Sequence, residues 1–445
     1  MTEFEAPQLK ELLEDAAAYC HAGRWREAET AYRAALAIAP RKTSILHNLG
    51  VVAAHAGDPL TAIEWFDQVI EAEPAYAAAH CNRAVALLGL GREQDAIAGF
   101  ARAALLEPDN YASHRALGFL WLAQGDRGRA LDHFARTYEL RRGEDRSGVV
   151  RQSLDLTNRC KLRHDAEQFR YLAKLQRDGH RFEMLARAYA AREQRLESAL
   201  SKLAPADFEG MGEDYNTAIN IADAPEIEEG AVSKTLDRQH ILARFEKKGV
   251  AEFDEFLSPR AFASLRDYLL RSTIWHDFSH IDGFVAAYLE DGLACPLLLQ
   301  IADELRKIFP ELLARHPLTQ AWAFKAVIPN AAVDIHSDDG AVSINFWMTP
   351  VEARRGSAEH GGLGICLASP PPDWIVRNYD KDKDRATRFL ADHAKDVQIV
   401  RYRENRAVLF ESRLLHWSDA PDFAEGYENH RINVTLLFGK GQIGN

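Results

Sequence analysis

Two side chains two positions apart, His336 and Asp338, lie inside the run WAFKAVIPNAAVDIHSDDGAVSINFWMT. The run reads as strand, turn and strand, so the alternation of a strand end puts the imidazole and the carboxylate on one face. There they can take adjacent positions on one metal ion. A third ligand has to come from elsewhere, and His416, in LLHWSD after the strand-like RAVLFES, is the candidate. Two histidines and one carboxylate leave three positions open on an octahedral ion, which is the layout for non-haem Fe(II) oxygen chemistry. A 2-keto acid would fill two of those positions and dioxygen the third. Arg431 opens another strand, RINVTLLF. A guanidinium fork suits the far carboxylate of such a keto acid, because it makes two charge-assisted hydrogen bonds at once.

An HxD pair alone is weak evidence, since about one is expected by chance in a chain of this composition. The chain has two, His280-Ile281-Asp282 and His336-Ser337-Asp338, and only the second sits between strand-like runs. Asp339 is the alternative carboxylate, and His393 or His430 the alternative imidazole. Asn433 and Thr435 share the strand face of Arg431 and are expected to add hydrogen bonds to the same carboxylate. Asn345 and Trp347 share a face and are candidates for the pocket wall. Lys325 is an alternative contact for the co-substrate.

What positions these residues is a set of strands. AWAFKAVI, AVDIHSD, AVSINFWMT, GLGICLAS, VQIVRY, RAVLFES and RINVTLLFG alternate in part and are separated by turn residues. Before them come a helix opened by Ser258-Pro259 and an amphipathic one carrying Leu297, Ile301, Leu305 and Phe309. An α+β domain with a double-layer jelly-roll follows as the expectation. The charged segment 370–396 interrupts the strands and is a candidate lid.

The first third has another texture. Gly23, Gly57, Gly91 and Gly125 recur every 34 residues, as do Ala28, Ala62, Ala96 and Ala130, and the aromatics Tyr32, Phe66, Phe100 and Phe134. Pro40, Pro74 and Pro108 close three units on the same beat. That is the period of the tetratricopeptide repeat, a pair of helices that buries its apolar face only against neighbouring pairs. Four units over residues 1–142 are expected, then capping helices over 143–208, a linker or wrap over 209–248, and the strand-rich domain over 249–445. Such an array presents a groove for a peptide, with His47, His80, Asn82, His114 and Arg115 as candidate lining, or else serves as a dimerisation surface.

The net charge of −12 argues against a general nucleic-acid binder or anionic-membrane binder. No apolar run reaches the roughly 18–20 residues that span a bilayer. The five cysteines are scattered and never form a CxxC pair, so free thiols in a reducing, cytoplasmic setting are expected.

The order HxD, distant His, then Arg on a following strand resembles the Fe(II)- and 2-oxoglutarate-dependent oxygenase superfamily over about residues 249–440. GVAEFDEFLSPRAFASLRDYL is similar to the lead-in strand and helix of its prolyl-hydroxylase-like members. INFWMTP and HGGLGICL resemble bacterial members with N-terminal repeats. The resemblance implies a double-stranded β-helix, a jelly-roll variant, with His336, Asp338 and His416 as iron ligands and Arg431 as the anchor for 2-oxoglutarate. Many members carry a serine two residues after that arginine; this chain has Asn433. A dioxygenase that hydroxylates a protein or peptide side chain recruited by the repeats is the implied activity. The competing readings are a small-molecule hydroxylase whose repeats form a homodimer, and a non-catalytic scaffold.

Overall fold

A computed structural model describes residues 5–143, 157–175, 179–195, 215–279, 281, 283–328, 332–356, 361–371, 374, 383–420 and 422–440. The chain divides into two compact units, Met1–Leu120 and Trp121–Asn445.

The first unit is helical. Its helices are α1 (Glu5–His21), α2 (Trp25–Ile38), α3 (Thr43–His55), α4 (Pro59–Ala72), α5 (Ala77–Gly89) and α6 (Glu93–Leu106), with α7 (Tyr111–Ala123) crossing the division. They pack as consecutive antiparallel pairs. The periodic glycines sit in the turn inside each pair, where φ is +69° at Gly23, +85° at Gly57 and +73° at Gly91, a left-handed conformation that costs a glycine little. The periodic Ala28, Ala62 and Ala96 are fully buried, as are Phe66 and Phe100. The closeness is measurable at Gly50, where a Cβ would stand 2.6 Å from the Phe66 ring. His47 and Asn82, both expected to line a groove, contact each other, with His47 Nε2 3.0 Å from Asn82 Nδ2. His80 Nε2 is 3.1 Å from the Pro74 carbonyl.

In the second unit α8 (Arg127–Arg142) follows Gly125, which has φ +80°. Asp126 caps it by accepting from the Arg129 amide. The helix is built into the strand-rich region. Arg142 donates from Nε and Nη2 to the buried Asp291 at 2.8 and 2.5 Å, and Tyr138 donates to the Thr273 carbonyl. Helices α9 (Arg159–Leu175) and α10 (Gly179–Glu193) then pair through Leu162, Phe169, Leu172, Phe182 and Tyr189. Leu175, at the end of the expected apolar stripe, is exposed. The stretch expected as linker or wrap ends in a helix, α11 (Arg238–Lys248), stopped by Gly249 at φ +69°. Its irregular part is tied down by Gln300, which bonds Ile227 through both its amide groups, and by Glu304, which accepts from the amides of Ala231 and Val232. Helices α12 (Pro259–Arg271) and α13 (Pro296–Ile308) precede the main run of strands, the first capped by Ser258.

Among the described residues ten strands form two antiparallel sheets. The larger has the order β1-β8-β5-β10-β3-β2 and the smaller β4-β9-β6-β7. Their ranges are β1 Val250–Phe253, β2 Phe284–Tyr288, β3 Leu318–Ala326, β4 Val333–His336, β5 Val342–Trp347, β6 Leu363–Cys366, β7 Val397–Val400, β8 Ala407–Glu411, β9 His416–Ser418 and β10 Ile432–Phe438. Val250, Trp347, Val408 and Phe410 of the larger sheet share one core cluster with Leu363, Ile365 and Val400 of the smaller. That is how two sheets bury their inner faces against each other. A helix, α15 (Lys383–Asp392), falls within the expected lid segment; residues 372–373 and 375–382 of that segment, and His280 and Asp282 of the other HxD pair, lie outside the described residues. A short helix, α14, covers Pro310–Leu313. Among the described residues no helix is long and apolar enough to cross a membrane, and all five cysteines are free.

Candidate metal centre

Sheet pairing brings together what the chain separates. In the smaller sheet β4 pairs with β9, and His336 stands opposite His416 across an irregularity in the register. The two imidazole centroids are 4.2 Å apart. Asp338 follows on the turn, its backbone amide bonded to the Ser412 carbonyl. Its Oδ1 lies 4.0 Å from His336 Nε2, and its Oδ2 lies 3.7 Å from His416 Nε2. One donor atom from each of the three residues lies within 4.8 Å of the other two.

The backbone fixes which nitrogens face inward. His336 Nδ1 is 2.8 Å from the Asp334 carbonyl and His416 Nδ1 2.9 Å from the Leu414 carbonyl. A carbonyl only accepts, so each Nδ1 carries the proton and each Nε2 keeps its lone pair for the centre. Burial holds the His416 pKa down to about 4, with the neighbouring His336 adding to the effect and Asp338 opposing it. A neutral imidazole is the form that binds a metal. Asp338 is oriented in turn: Ser343 donates to its Oδ2 at 2.8 Å, and Ser343 and Ser412 are joined at 2.9 Å.

The larger sheet supplies the opposite wall of the same cavity. Arg431, Asn433, Thr435, Asn345 and Trp347 line it together with the three donors, and Trp322, Phe324 and Phe410 complete its apolar side. The cavity is small, about 40 Å³. Arg431 is 2% exposed, and its bonds run to neutral oxygens: Nη1 to the Gly361 carbonyl at 2.9 Å, Nη2 to Ser418 Oγ at 3.1 Å and to Asn433 Oδ1 at 3.4 Å. Its Nε has no partner among the described residues. Burial lowers the Arg431 pKa to about 10, so the guanidinium stays charged at neutral pH. Asn345 donates to Thr435 Oγ1 at 3.1 Å and leaves its own Oδ1 unpartnered. An unpaired buried polar atom costs about 1–3 kcal/mol, and the unpartnered N–H at Nε, on a buried cation bonded to neutral oxygens, suits an anion.

One expected residue is elsewhere. Lys325 follows Phe324 on β3 and therefore points away from the cavity, through the other face of the sheet. Its Nζ lies 3.2 Å from the centroid of the Tyr427 ring and 5.5 Å from that of Trp275, and it is not a contact for anything held in the cavity. The alternative ligands are displaced too. His393 stacks on Phe389, His430 Nε2 faces Glu167 at 3.1 Å, and Asp339 is exposed. The sequence reading passed over Ser343, Ser412 and Ser418. Strand parity could have found the first, because Ser343 shares a face of β5 with Asn345 and Trp347, and the last, two residues after His416.

A tetratricopeptide repeat family profile matches residues 15–75. Among solved structures the chain is similar to a Thermobaculum terrenum O-GlcNAc transferase mutant, with 27% identity over 31% of this chain and 28% of that one and a TM-score of 0.29. It is similar to the first TPR domain of Spaghetti bound to an HSP90 peptide, with 19% identity over 27% of this chain and 94% of that one and a TM-score of 0.26. It is also similar to MamA, with 19% identity over 44% of this chain and 99% of that one and a TM-score of 0.29. The chain thus spans little more than a quarter of the transferase it matches. The N-terminal region carries tetratricopeptide repeats, and a sheet-rich region follows it.

Proposed function

We propose that the sheet-rich unit is a double-stranded β-helix and an Fe(II)- and 2-oxoglutarate-dependent dioxygenase, hydroxylating a protein or peptide side chain that the repeats recruit. One observation carries the reading: three metal donors, both imidazoles with Nε2 turned inward, share a cavity with a buried guanidinium bonded only to neutral oxygens. In this reading His336, Asp338 and His416 hold the iron. Arg431, with Asn345 and Thr435 beside it, holds the far carboxylate of the diacid. Iron with 2-oxoglutarate and dioxygen supplies oxidative decarboxylation to succinate and carbon dioxide, coupled to entry of one oxygen atom into a substrate C–H bond.

The chain's own residues do the rest. Ser343 and Ser412 hold the Asp338 carboxylate in place. Trp322, Phe324, Trp347 and Phe410 exclude water from the cavity. At about 40 Å³ the cavity is smaller than a five-carbon diacid, so in this reading its wall opens to seat the co-substrate. Recruitment by the repeats is supported by the general use of such arrays as peptide grooves.

The test is iron titration by calorimetry together with 2-oxoglutarate-to-succinate turnover. Wild-type protein is expected to bind one Fe(II), and His336→Ala to lose at least about tenfold in iron affinity and all measurable turnover. Wild-type protein that binds no iron, or His336→Ala protein that binds it equally well, overturns the reading.

A further inference from the structure

The cavity beside the three donors opens on one side. Among its described lining residues Trp322, Phe324, Val333 and His336 are half-buried, and the rest are buried. These four form a doorway, two from β3 and two from β4. On β3 the front-face residues Gln320, Trp322 and Phe324 are all half-buried, while Ala321, Ala323 and Lys325 of the back face are 0% exposed. On β10 the partners of Phe324 and Trp322 on the same face, Asn433 and Thr435, are buried. The cover over the front of the larger sheet therefore ends at β3. On β4 the irregularity in the register lets Val333 and His336 face the same cavity despite their odd spacing. The exposed member of the donor set also lies here. The His336 side chain is 35% exposed, against 7% for Asp338 and 5% for His416, so the centre is reached past His336.

The doorway has a definite chemistry. Two aromatic rings and a valine make its walls. Among its described residues His336 is the one ionisable group, and both of its nitrogens are committed, Nδ1 to the Asp334 carbonyl and Nε2 to the centre. A charged side chain passing here would leave water and meet no opposite charge, which is an unfavourable transfer. An apolar one loses only its contact with water and gains contact with the rings.

Resting on the oxygenase reading above, we propose that the doorway selects the side chain to be oxidised: an uncharged apolar one, aliphatic or aromatic, carried on a peptide and held between Trp322 and Phe324 of β3 and Val333 of β4. The diacid, anchored on Arg431, takes the depth of the cavity and leaves this side to the substrate. Trp322, Phe324 and Val333 are then the residues that determine specificity. In the step itself one C–H bond of the apolar side chain becomes C–OH. One oxygen atom of dioxygen enters it, and the other goes to the succinate formed as 2-oxoglutarate loses carbon dioxide.

The experiment uses full-length protein and fluorescent peptides of one length with identical flanks. Four pools differ in the central residue alone: apolar (leucine, isoleucine, phenylalanine), polar (asparagine, glutamine), cationic (lysine, arginine) and anionic (aspartate, glutamate). Binding is read by anisotropy with Fe(II) and 2-oxoglutarate in the absence of oxygen, and iron binding is read separately by calorimetry. The apolar pool is expected to bind about tenfold better than either charged pool. Salt at about 0.5 M is expected to leave that affinity within about twofold, since no ion pair is involved. Phe324→Ala is expected to lose about tenfold for the apolar pool. Val333→Glu, on a strand that pairs with β9 alone among the described strands, is expected to place the cationic pool above the apolar one, a reversal that lost packing does not produce. Equal binding of the four pools, any pool other than the apolar one bound best by wild type, an unchanged affinity in Phe324→Ala, or the wild-type order kept in Val333→Glu each overturns the proposal. Apolar-selective binding that Phe324→Ala weakens, in a protein that takes no iron, supports the doorway and overturns the oxygenase reading alone.

Discussion

The larger sheet buries a basic side chain on each of its faces, and the two are nearly neighbours: Lys325 on β3 stands opposite Ile432 of β10, one residue after Arg431. Both are at most 2% exposed, and both have a nitrogen without a hydrogen-bond partner among the described residues. Their surroundings differ. Arg431 faces a cavity with two histidines and an aspartate across from it. Lys325 faces aromatic rings and helix α9, where Glu167 contributes only at a distance and burial drives its pKa well below the usual lysine range. A guanidinium resists deprotonation and keeps its charge when buried; an amine gives its proton up. The front face thus keeps an anion-seeking charge, and the back face holds an amine whose charged form burial disfavours.

The sharpest way to break this contrast is Arg431→Met. It is expected to raise the 2-oxoglutarate dissociation constant by about a hundredfold, the loss of a charge-assisted pair worth about 3 kcal/mol. The melting temperature without ligand is expected to hold or rise, because an uncompensated buried charge is gone. Calorimetry and a thermal melt read the two effects, and a fall in melting temperature with unchanged affinity would place Arg431 in a merely structural role. The next effect belongs to the back face. Burial pushes the Glu167 pKa up, but His430 and Arg163 outweigh it and hold it at about 2, against an ordinary 4.5. A depressed carboxylate stabilises the fold above its unfolded pKa and loses that contribution as pH falls through the folded value. Glu167→Gln is therefore expected to lower stability at pH 7, with the gap to wild type closing as pH falls from 4.5 toward 2 in denaturant titrations. The smallest effect is expected for Lys325→Met. The 2-oxoglutarate affinity should stay within about twofold, and stability at neutral pH should rise by about 1–2 kcal/mol. That gain shrinks as pH climbs toward 10.5, the ordinary lysine value, where the unfolded chain also releases its proton and the wild-type penalty vanishes. A large loss of diacid affinity in this variant would erase the distinction between the faces.

That His336, Asp338, His416 and Arg431 meet in one cavity was legible because the proposed chemistry restricts residue types and because strand alternation is local. The tetratricopeptide beat was legible because every unit repeats the same glycine, alanine and aromatic for the same packing reason. Lys325 was misplaced for a reason of another kind. Alternation says that Phe324 and Lys325 oppose each other, but which of them meets the cavity depends on how β3 docks against β10, more than a hundred residues downstream. The serines behind Asp338 were hidden likewise: Ser343 and Ser412 meet only when β5 pairs with β8.

The 34-residue rhythm runs to the end of α8, yet the guanidinium that closes that helix is the counter-charge for Asp291, deep in the strand-rich unit. A fragment begun at residue 143, where the repeats run out, would strand that aspartate in the interior and cost about 3–5 kcal/mol. One begun at residue 121 would carry its own arginine. The seam along which this protein can be cut thus has to leave one ion pair whole, and it falls within the last repeat rather than after it.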